Sequence, residues 1–168
     1  WKRVGRADVK HTDGTSWSKA GLTMALWTLA TTAVTVFKIV ADNSKDTLRP
    51  LYGALRGILV SDRAKALNFW AMERRQICWA HLLRDIEAIC ERDGRSREIG
   101  EALRAQARQM FHWWHRVRDG TLSHASFASY MRPIRREVEC LLEAGQTCGA
   151  PKTEGTCRDL LKRRQALW

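Results

Sequence analysis

A short apolar segment that ends on a carboxylate constrains the fold of this chain more than any other feature. Residues 57–62 read Gly-Ile-Leu-Val-Ser-Asp, and a run this short and branched is typical of a central strand buried on both faces. Asp62 would then lie at the carboxyl end of the strand, the edge where open α/β sheets build their sites. The alternative is that Ser61 and Asp62 cap a helix that begins near Arg63.

The composition indicates a folded, strongly basic protein. The chain has 168 residues, 45% of them hydrophobic, with eight tryptophans, which is enough to build a core and argues against disorder. Its net charge of +11 favours a polyanionic partner, with nucleic acid as the first candidate. The alternative is a basic protein without such a partner.

The location of the protein is predicted from features that the sequence lacks. No apolar run approaches the roughly 20 residues of a membrane span, and no signal peptide opens the chain. The five cysteines contain no CxxC pair and fit reduced thiols better than disulfides. We therefore expect a cytoplasmic protein with no membrane partner.

Alternating patterns before residue 57 predict three strands. From Ala7 the sequence has period two, which predicts a strand ending at Asp13, although Asp13-Gly14 is also a common hairpin-turn pair. Residues 22–30 and 33–40 read as two further strands joined by a turn at Thr31-Thr32. Together they predict an antiparallel meander.

The next segments bring two aspartates together. A short helix over 47–55 would carry the chain across to the strand 57–62, and such crossovers join parallel neighbours. Asp13 and Asp62 would then lie at the same end of adjacent strands. A helix-like segment (63–70), a fifth strand (75–78) and an amphipathic helix (80–92) follow.

After residue 94 the hydrophobic period becomes helical. Apolar residues spaced by three or four predict two long antiparallel helices, which Asp119-Gly120 separates, and Ser123 can cap the second. Pro133 should bend that helix. Residues 145–155 read as a loop, and a basic helix follows to residue 167. We predict an α/β core over 1–94 and a helical region over 95–168.

Several motifs follow one another in a fixed order along the chain. They are His11-Thr12-Asp13-Gly14-Thr15, then Leu26-Trp27, then residues 57–62, then Cys78-Trp79-Ala80-His81-Leu82, and last the helical region through Ala166-Leu167-Trp168. In this order and spacing they resemble the transposases of the insertion sequence 66 family, and the resemblance covers almost the whole chain. The most specific motif is Cys78-Trp79-Ala80-His81 after an aspartate at a strand end. The usual family pattern begins Asp-Glu-Thr where this chain has Asp13-Gly14-Thr15.

The resemblance implies a ribonuclease H-like mixed sheet with a mostly α-helical insertion after the fifth strand, beginning near Arg95. It makes Asp13 and Asp62 the first two members of an Asp-Asp-Glu triad. The third member would lie on a helix beyond Trp168. The chain also begins without an initiator methionine, so we expect a fragment. Because the third carboxylate is missing from it, we expect this fragment to be inactive alone.

The implied chemistry is metal-dependent DNA strand cleavage and transfer. Two divalent ions, Mg²⁺ or Mn²⁺, stabilise the attacking and leaving oxygens, and carboxylates are suitable ligands for them. Asp13 would bridge both ions and Asp62 would hold one. The expected partners are transposon ends, target DNA and further copies of the chain in a transposition complex. The alternatives are a catalytically dead DNA-binding remnant and a ribonuclease H-like nuclease or resolvase.

Cys78 and His81 have two interpretations. A CxxH pair is half of a tetrahedral zinc site, which Cys148, Cys157, His112 or His115 would have to complete. The interpretation we favour places Cys78 in the core. His81 would then lie near the carboxylates, where it contacts substrate phosphate or orients Asp62, or it is simply structural.

Two basic regions are candidates for DNA contact. The sequence His112-Trp113-Trp114-His115, interleaved with arginines, could stack on unpaired bases, although packing between helices is the interpretation we favour. We favour a different group of basic residues as the phosphate-contacting surface: Arg132, Arg135, Arg136, Lys162, Arg163 and Arg164. The alternative is that they form only a solvated charged face.

Overall fold

The structure, a computed structural model, describes residues 2–168 as a mixed α/β fold with one five-stranded sheet. Trp1, the first residue of the predicted core, lies outside the described residues. The strands are β1 (Val9–Lys19), β2 (Leu22–Ala30), β3 (Thr35–Val40), β4 (Ile58–Ser61) and β5 (Arg75–Ile77). The helices are α1 (Lys2–Arg6), α2 (Lys45–Tyr52), α3 (Trp79–Cys90), α4 (Arg95–Arg118), α5 (His124–Gly145) and α6 (Pro151–Lys162).

The chain divides into two compact units. The sheet unit comprises the described residues through Cys78 together with Gln165–Trp168, and the helical unit comprises Trp79–Arg164. The sequence had placed this division at residue 94. The compact units divide earlier because α3 packs against α4 and so belongs with the helices.

The sheet has the strand order β3-β2-β1-β4-β5. The β1–β2 and β2–β3 pairs are antiparallel, whereas the β1–β4 and β4–β5 pairs are parallel. The connection between β3 and β4 contains α2, which Ser44 caps by accepting a hydrogen bond from the Thr47 amide. The predicted meander and the parallel β1–β4 pair are therefore confirmed.

One face of the sheet carries the core of this unit. Trp27, Leu29 and Leu59 from the sheet are buried in one cluster with Leu48 and Tyr52 from α2. This burial matches the period-two pattern of β2, in which alternate residues are buried. The core therefore fixes which face each strand residue occupies.

Lys10 is buried beside this core. Its Nζ donates hydrogen bonds to the carbonyls of Ala7 and Arg56, and desolvation lowers the pKa of the ammonium. The two bonds tie the start of β1 to the segment just before β4.

The predicted end of the first strand at Asp13 is wrong. β1 continues to Lys19, and the turn into β2 is at Ala20-Gly21, where both residues have positive φ (49° and 78°), as a type I′ hairpin turn requires. Gly14 lies inside the strand and pairs with Trp27. Its role is close packing rather than a turn.

Two other segments differ from their predicted form. Residues 63–70 contain only a short 3₁₀ turn, Lys65–Leu67. The predicted loop over 145–155 ends early, because α6 already begins at Pro151. Proline suits a first helical position, and Glu154 Oε1 accepts a hydrogen bond from the Gly149 amide at 2.9 Å, which secures that start.

In the helical unit, α4 and α5 form an antiparallel hairpin. A Cβ placed on Gly145, at the end of α5, would lie 3.7 Å from Ile99 near the start of α4. At the other end, ring contacts link Trp114 to Phe127. α5 continues as one helix through Pro133.

No helix within residues 2–168 combines the length and apolar character that a bilayer span would need.

Candidate active site

Asp13 and Asp62 occupy matching positions on neighbouring parallel strands. The last residue pair between β1 and β4 is His11 with Val60. Asp13 and Asp62 each lie two residues beyond that pair, Asp13 within β1 and Asp62 immediately after β4. If the same register continued past that pair, Asp13 would lie opposite Asp62 at the carboxyl end of the parallel pair.

The two carboxylates differ in their surroundings. Asp13 is exposed, and its Oδ1 accepts a hydrogen bond from the Gly14 amide at 3.1 Å. Asp62 is half-buried, and its Oδ1 accepts from the Ala64 amide at 3.0 Å. This bond satisfies an amide in the following loop, but no helix begins at Arg63. The capping interpretation is therefore right about the bond and wrong about the helix.

Arg75 supports the Asp62 segment, and sequence reasoning missed it. This arginine is buried in β5, and its Nη2 donates to the backbone carbonyls of Asp62 at 2.9 Å and Ala64 at 3.3 Å. Its Nε donates to Ser61 Oγ at 3.2 Å. These three hydrogen bonds from the guanidinium hold the segment that carries Asp62. In the sequence, Arg74-Arg75 gives no sign of this, because a basic pair usually marks solvated surface.

Cys78 and His81 lie in different units. The Cys78 amide donates to the Ser61 carbonyl at 2.7 Å, which extends the pairing of β4 and β5 by one residue. Cys78 is half-buried, and His81 is half-buried in the first turn of α3. The predicted contact between His81 and the substrate stays a prediction.

The zinc alternative finds no support in the described part of the chain. Among residues 2–168, no three His, Cys, Asp or Glu side chains are grouped so as to hold a metal ion. Burial also raises the pKa of Cys157 to about 11, whereas a zinc ligand must be a thiolate.

Five of the six residues predicted to contact phosphate are exposed. Arg163 is the exception, because the residue is only 7% exposed and its guanidinium forms an ion pair with Asp159 in α6. We therefore remove Arg163 from the proposed DNA surface. The exposed residues are Arg132, Arg135 and Arg136 in α5, with Lys162 and Arg164.

One known protein family matches almost the whole chain. A model of a transposase family matches residues 2–168, so the chain is a transposase domain. It belongs to the family described as Transposase IS66 family. No curated protein and no solved structure matches the chain. Family membership supports a transposase-related function and implies interaction with DNA.

Proposed function

We propose that this chain supplies two metal-binding carboxylates, Asp13 and Asp62, to a DNA transposase of the Asp-Asp-Glu type. The transposase would cleave and transfer DNA strands on a ribonuclease H-like sheet. The observation that carries the proposal is the register of the parallel strands β1 and β4, because Asp13 and Asp62 each lie two residues beyond the last pair, His11 with Val60. Family membership and the mixed sheet support the same conclusion.

The donor chemistry of the two residues fits Mg²⁺ or Mn²⁺. Both ions prefer hard oxygen ligands, and Asp13 and Asp62 provide carboxylates at the end of a parallel strand pair. Bound there, the ions would supply charge stabilisation for the attacking and leaving oxygens of a phosphodiester. Asp13 and Asp62 would be the residues of this chain that hold them.

The protein's own contribution is to keep these groups in place. Asp13 lies in the central strand of the sheet, between β2 and β4. Asp62 follows β4, and Arg75 holds its backbone. A site built on strands and braced by a buried guanidinium positions its ligands more accurately than a site on a free loop.

The test compares metal binding and strand nicking in matched variants. Asp13→Asn and Asp62→Asn should each weaken Mn²⁺ binding to the chain, measured by electron paramagnetic resonance. In the transposase that contains this chain, nicking of a labelled transposon end should fall by about 100-fold or more, the scale for losing one group that stabilises transition-state charge. Asp46→Asn is the control, because it removes the same charge from an exposed position in α2 of the same unit. Unchanged nicking by Asp62→Asn would refute the proposal.

A second candidate is DNA binding without catalysis, which the net charge of +11 favours. In that case DNA binds but neither the unsubstituted protein nor any variant nicks it. A third candidate, a nuclease or resolvase, is distinguished by its products. Nicking without joining of transposon ends to target DNA would favour that class.

A further inference from the structure

The turn half of the α4–α5 hairpin, residues 104–136, has an unusual charge distribution. It contains seven arginines, and Asp119 is its only carboxylate. The remainder of the hairpin, residues 95–103 and 137–145, has two arginines and five glutamates. Positive charge is therefore concentrated in the longer part of the hairpin, residues 104–136, which contains the turn.

Aromatic rings are grouped in the same half. The ring centroids of Trp113 in α4 and Tyr130 in α5 are 4.5 Å apart, and the two ring planes are inclined by 32°. The ring centroids of Trp114 and Phe127 are 6.2 Å apart. The Arg116 guanidinium lies over the Trp113 ring at 5.5 Å. These contacts confirm that packing between helices explains part of the tryptophan motif.

Packing does not account for the exposed ring surface. Trp114 is 45% exposed and Tyr130 is 43% exposed, although each ring is held by a neighbour from the facing helix. Arg118 lies one turn after Trp114 on the same side of α4, and its side chain is 61% exposed. Rings that are already ordered lose little conformational freedom when a ligand stacks on them.

We propose that the turn half of the hairpin binds single-stranded DNA. Unpaired bases stack on Trp114 and Tyr130, and the arginines, Arg118 among them, contact phosphates. Stacking on aromatic rings beside a basic surface is the usual means of binding single strands, and it tolerates any sequence because every base has a π-face. The choice of DNA rests on the proposed function, whereas the stacking surface does not involve Asp13 or Asp62.

The experiment measures binding of a fluorescein-labelled oligothymidylate to the chain by fluorescence anisotropy, in EDTA. Trp114→Ala and Tyr130→Ala should each weaken binding by roughly tenfold or more, and Trp114→Phe should retain most of it. Trp17→Ala is the matched control, because Trp17 is 41% exposed in the sheet unit, and it should bind like the unsubstituted chain. Equal binding by Trp114→Ala and Trp17→Ala would overturn the proposal.

A second pair of variants covers the case in which Trp114→Ala loses helical structure by circular dichroism. Arg118 and Arg97 are both exposed and both paired with an aspartate, at 3.2 Å and 3.4 Å. Arg118→Ala should weaken binding several-fold more than Arg97→Ala, and equal losses would count against the site. Poly-glutamate that competes as well as the oligonucleotide would identify an acidic protein as the partner and overturn the proposal.

This test is independent of the proposed metal site. Asp62→Asn should bind the oligonucleotide normally in EDTA, even if it abolishes nicking. If metal binding at Asp13 and Asp62 fails, the anisotropy comparison can still succeed. If the hairpin variants bind normally while Asp62→Asn loses nicking, only the hairpin proposal is refuted.

Discussion

At the scale of single residues, Trp27 determines what position 14 can hold. A Cβ on Gly14 would lie 2.7 Å from two atoms of the Trp27 ring. The ring cannot easily move, because its Nε1 donates to Asn43 Oδ1 at 2.8 Å and its edge packs on Tyr52. The resemblance gives the usual family pattern as Asp-Glu-Thr at this point. In this chain the indole occupies the space that a side chain at position 14 would need.

Gly14→Ala should therefore destabilise the sheet unit. Overpacking of this kind typically costs about 1–3 kcal/mol, and urea denaturation would measure it. Trp27→Leu should itself destabilise the unit, but Gly14→Ala should cost less in a Trp27→Leu background than in the unsubstituted chain, since the smaller side chain leaves room for the new methyl group. Equal stability of Gly14→Ala and the unsubstituted chain would show that the ring can shift freely.

Arg75 should act on the metal site through the Asp62 loop. Arg75→Met keeps much of the side-chain volume but leaves the carbonyls of Asp62 and Ala64 without this donor. Removing a buried hydrogen-bond partner typically costs about 1–3 kcal/mol of stability. Because partners of this kind position ligands, Mn²⁺ affinity should also fall roughly 10- to 100-fold.

Arg74, the exposed neighbour of Arg75, provides the control for the Arg75→Met experiment. Arg74→Met removes the same charge from the adjacent, exposed position and should leave both stability and Mn²⁺ affinity nearly unchanged. If Arg75→Met loses stability but binds Mn²⁺ normally, its role is structural and not one of positioning Asp62.

At the scale of elements, the hydrophobic period predicts whether a segment is a helix or a strand better than it predicts where that segment begins and ends. The sequence predicts β2, β3, α4 and α5 because each periodic pattern continues over many residues and ends at turn residues. Asp13-Gly14 was misread because a glycine can serve a turn or a close contact, and only the distant Trp27 decides between them. The start of α6 was missed although Pro151 signalled it.

The sequence predicts the strand topology of the candidate site but not the buried arginines, for a similar reason. The parallel pairing of β1 with β4, on which the proposed Asp13–Asp62 site depends, follows from a topological rule that applies to any strand–helix–strand unit. The burial of Arg75 and Arg163 depends on tertiary neighbours, which a linear pattern does not contain. Arginine is usually exposed, so a sequence gives no reason to expect either residue inside.

Gly100 sets how closely α4 approaches the end of α3. A Cβ at this position would lie 2.6 Å from the Cys90 amide nitrogen and 2.9 Å from the Ile89 carbonyl carbon. These are backbone atoms, so α3 and α4 would have to separate. Gly100→Ala should destabilise the helical unit by about 1–3 kcal/mol, measured by thermal unfolding followed at 222 nm.

Gly155 offers the opposite case on another helix. It lies within α6, and a Cβ there would have no neighbour within 4 Å. Gly155→Ala should stabilise the chain by about 0.5–1 kcal/mol, because alanine loses less entropy in a helix than glycine. Destabilisation of similar size by both substitutions would mean that the contact at Gly100 is not the cause.

At the scale of the whole molecule, the net charge of +11 predicts how DNA binding depends on salt. Each neutralised phosphate releases counterions, so log affinity falls with log salt at a slope of about −0.9 per contact. We expect weakly sequence-selective binding to duplex DNA that declines steeply between low and physiological salt. Anisotropy titrations at two salt concentrations, on two unrelated sequences, would measure this. Affinity that is independent of salt would contradict the prediction.

The hydrogen bond from Gln76 Nε2 to the Leu167 carbonyl, 3.0 Å long, has a consequence for how the chain folds. The two residues are 91 positions apart, and the helical unit lies between them. Doubling the length of an unstructured loop adds only about 0.6 kcal/mol to its closure, but contacts between distant residues form slowly. Helix-to-helix contacts are more local, so the helical unit should become ordered first. The edge of the sheet at β5 would then be completed last, only after Leu167 has been synthesised.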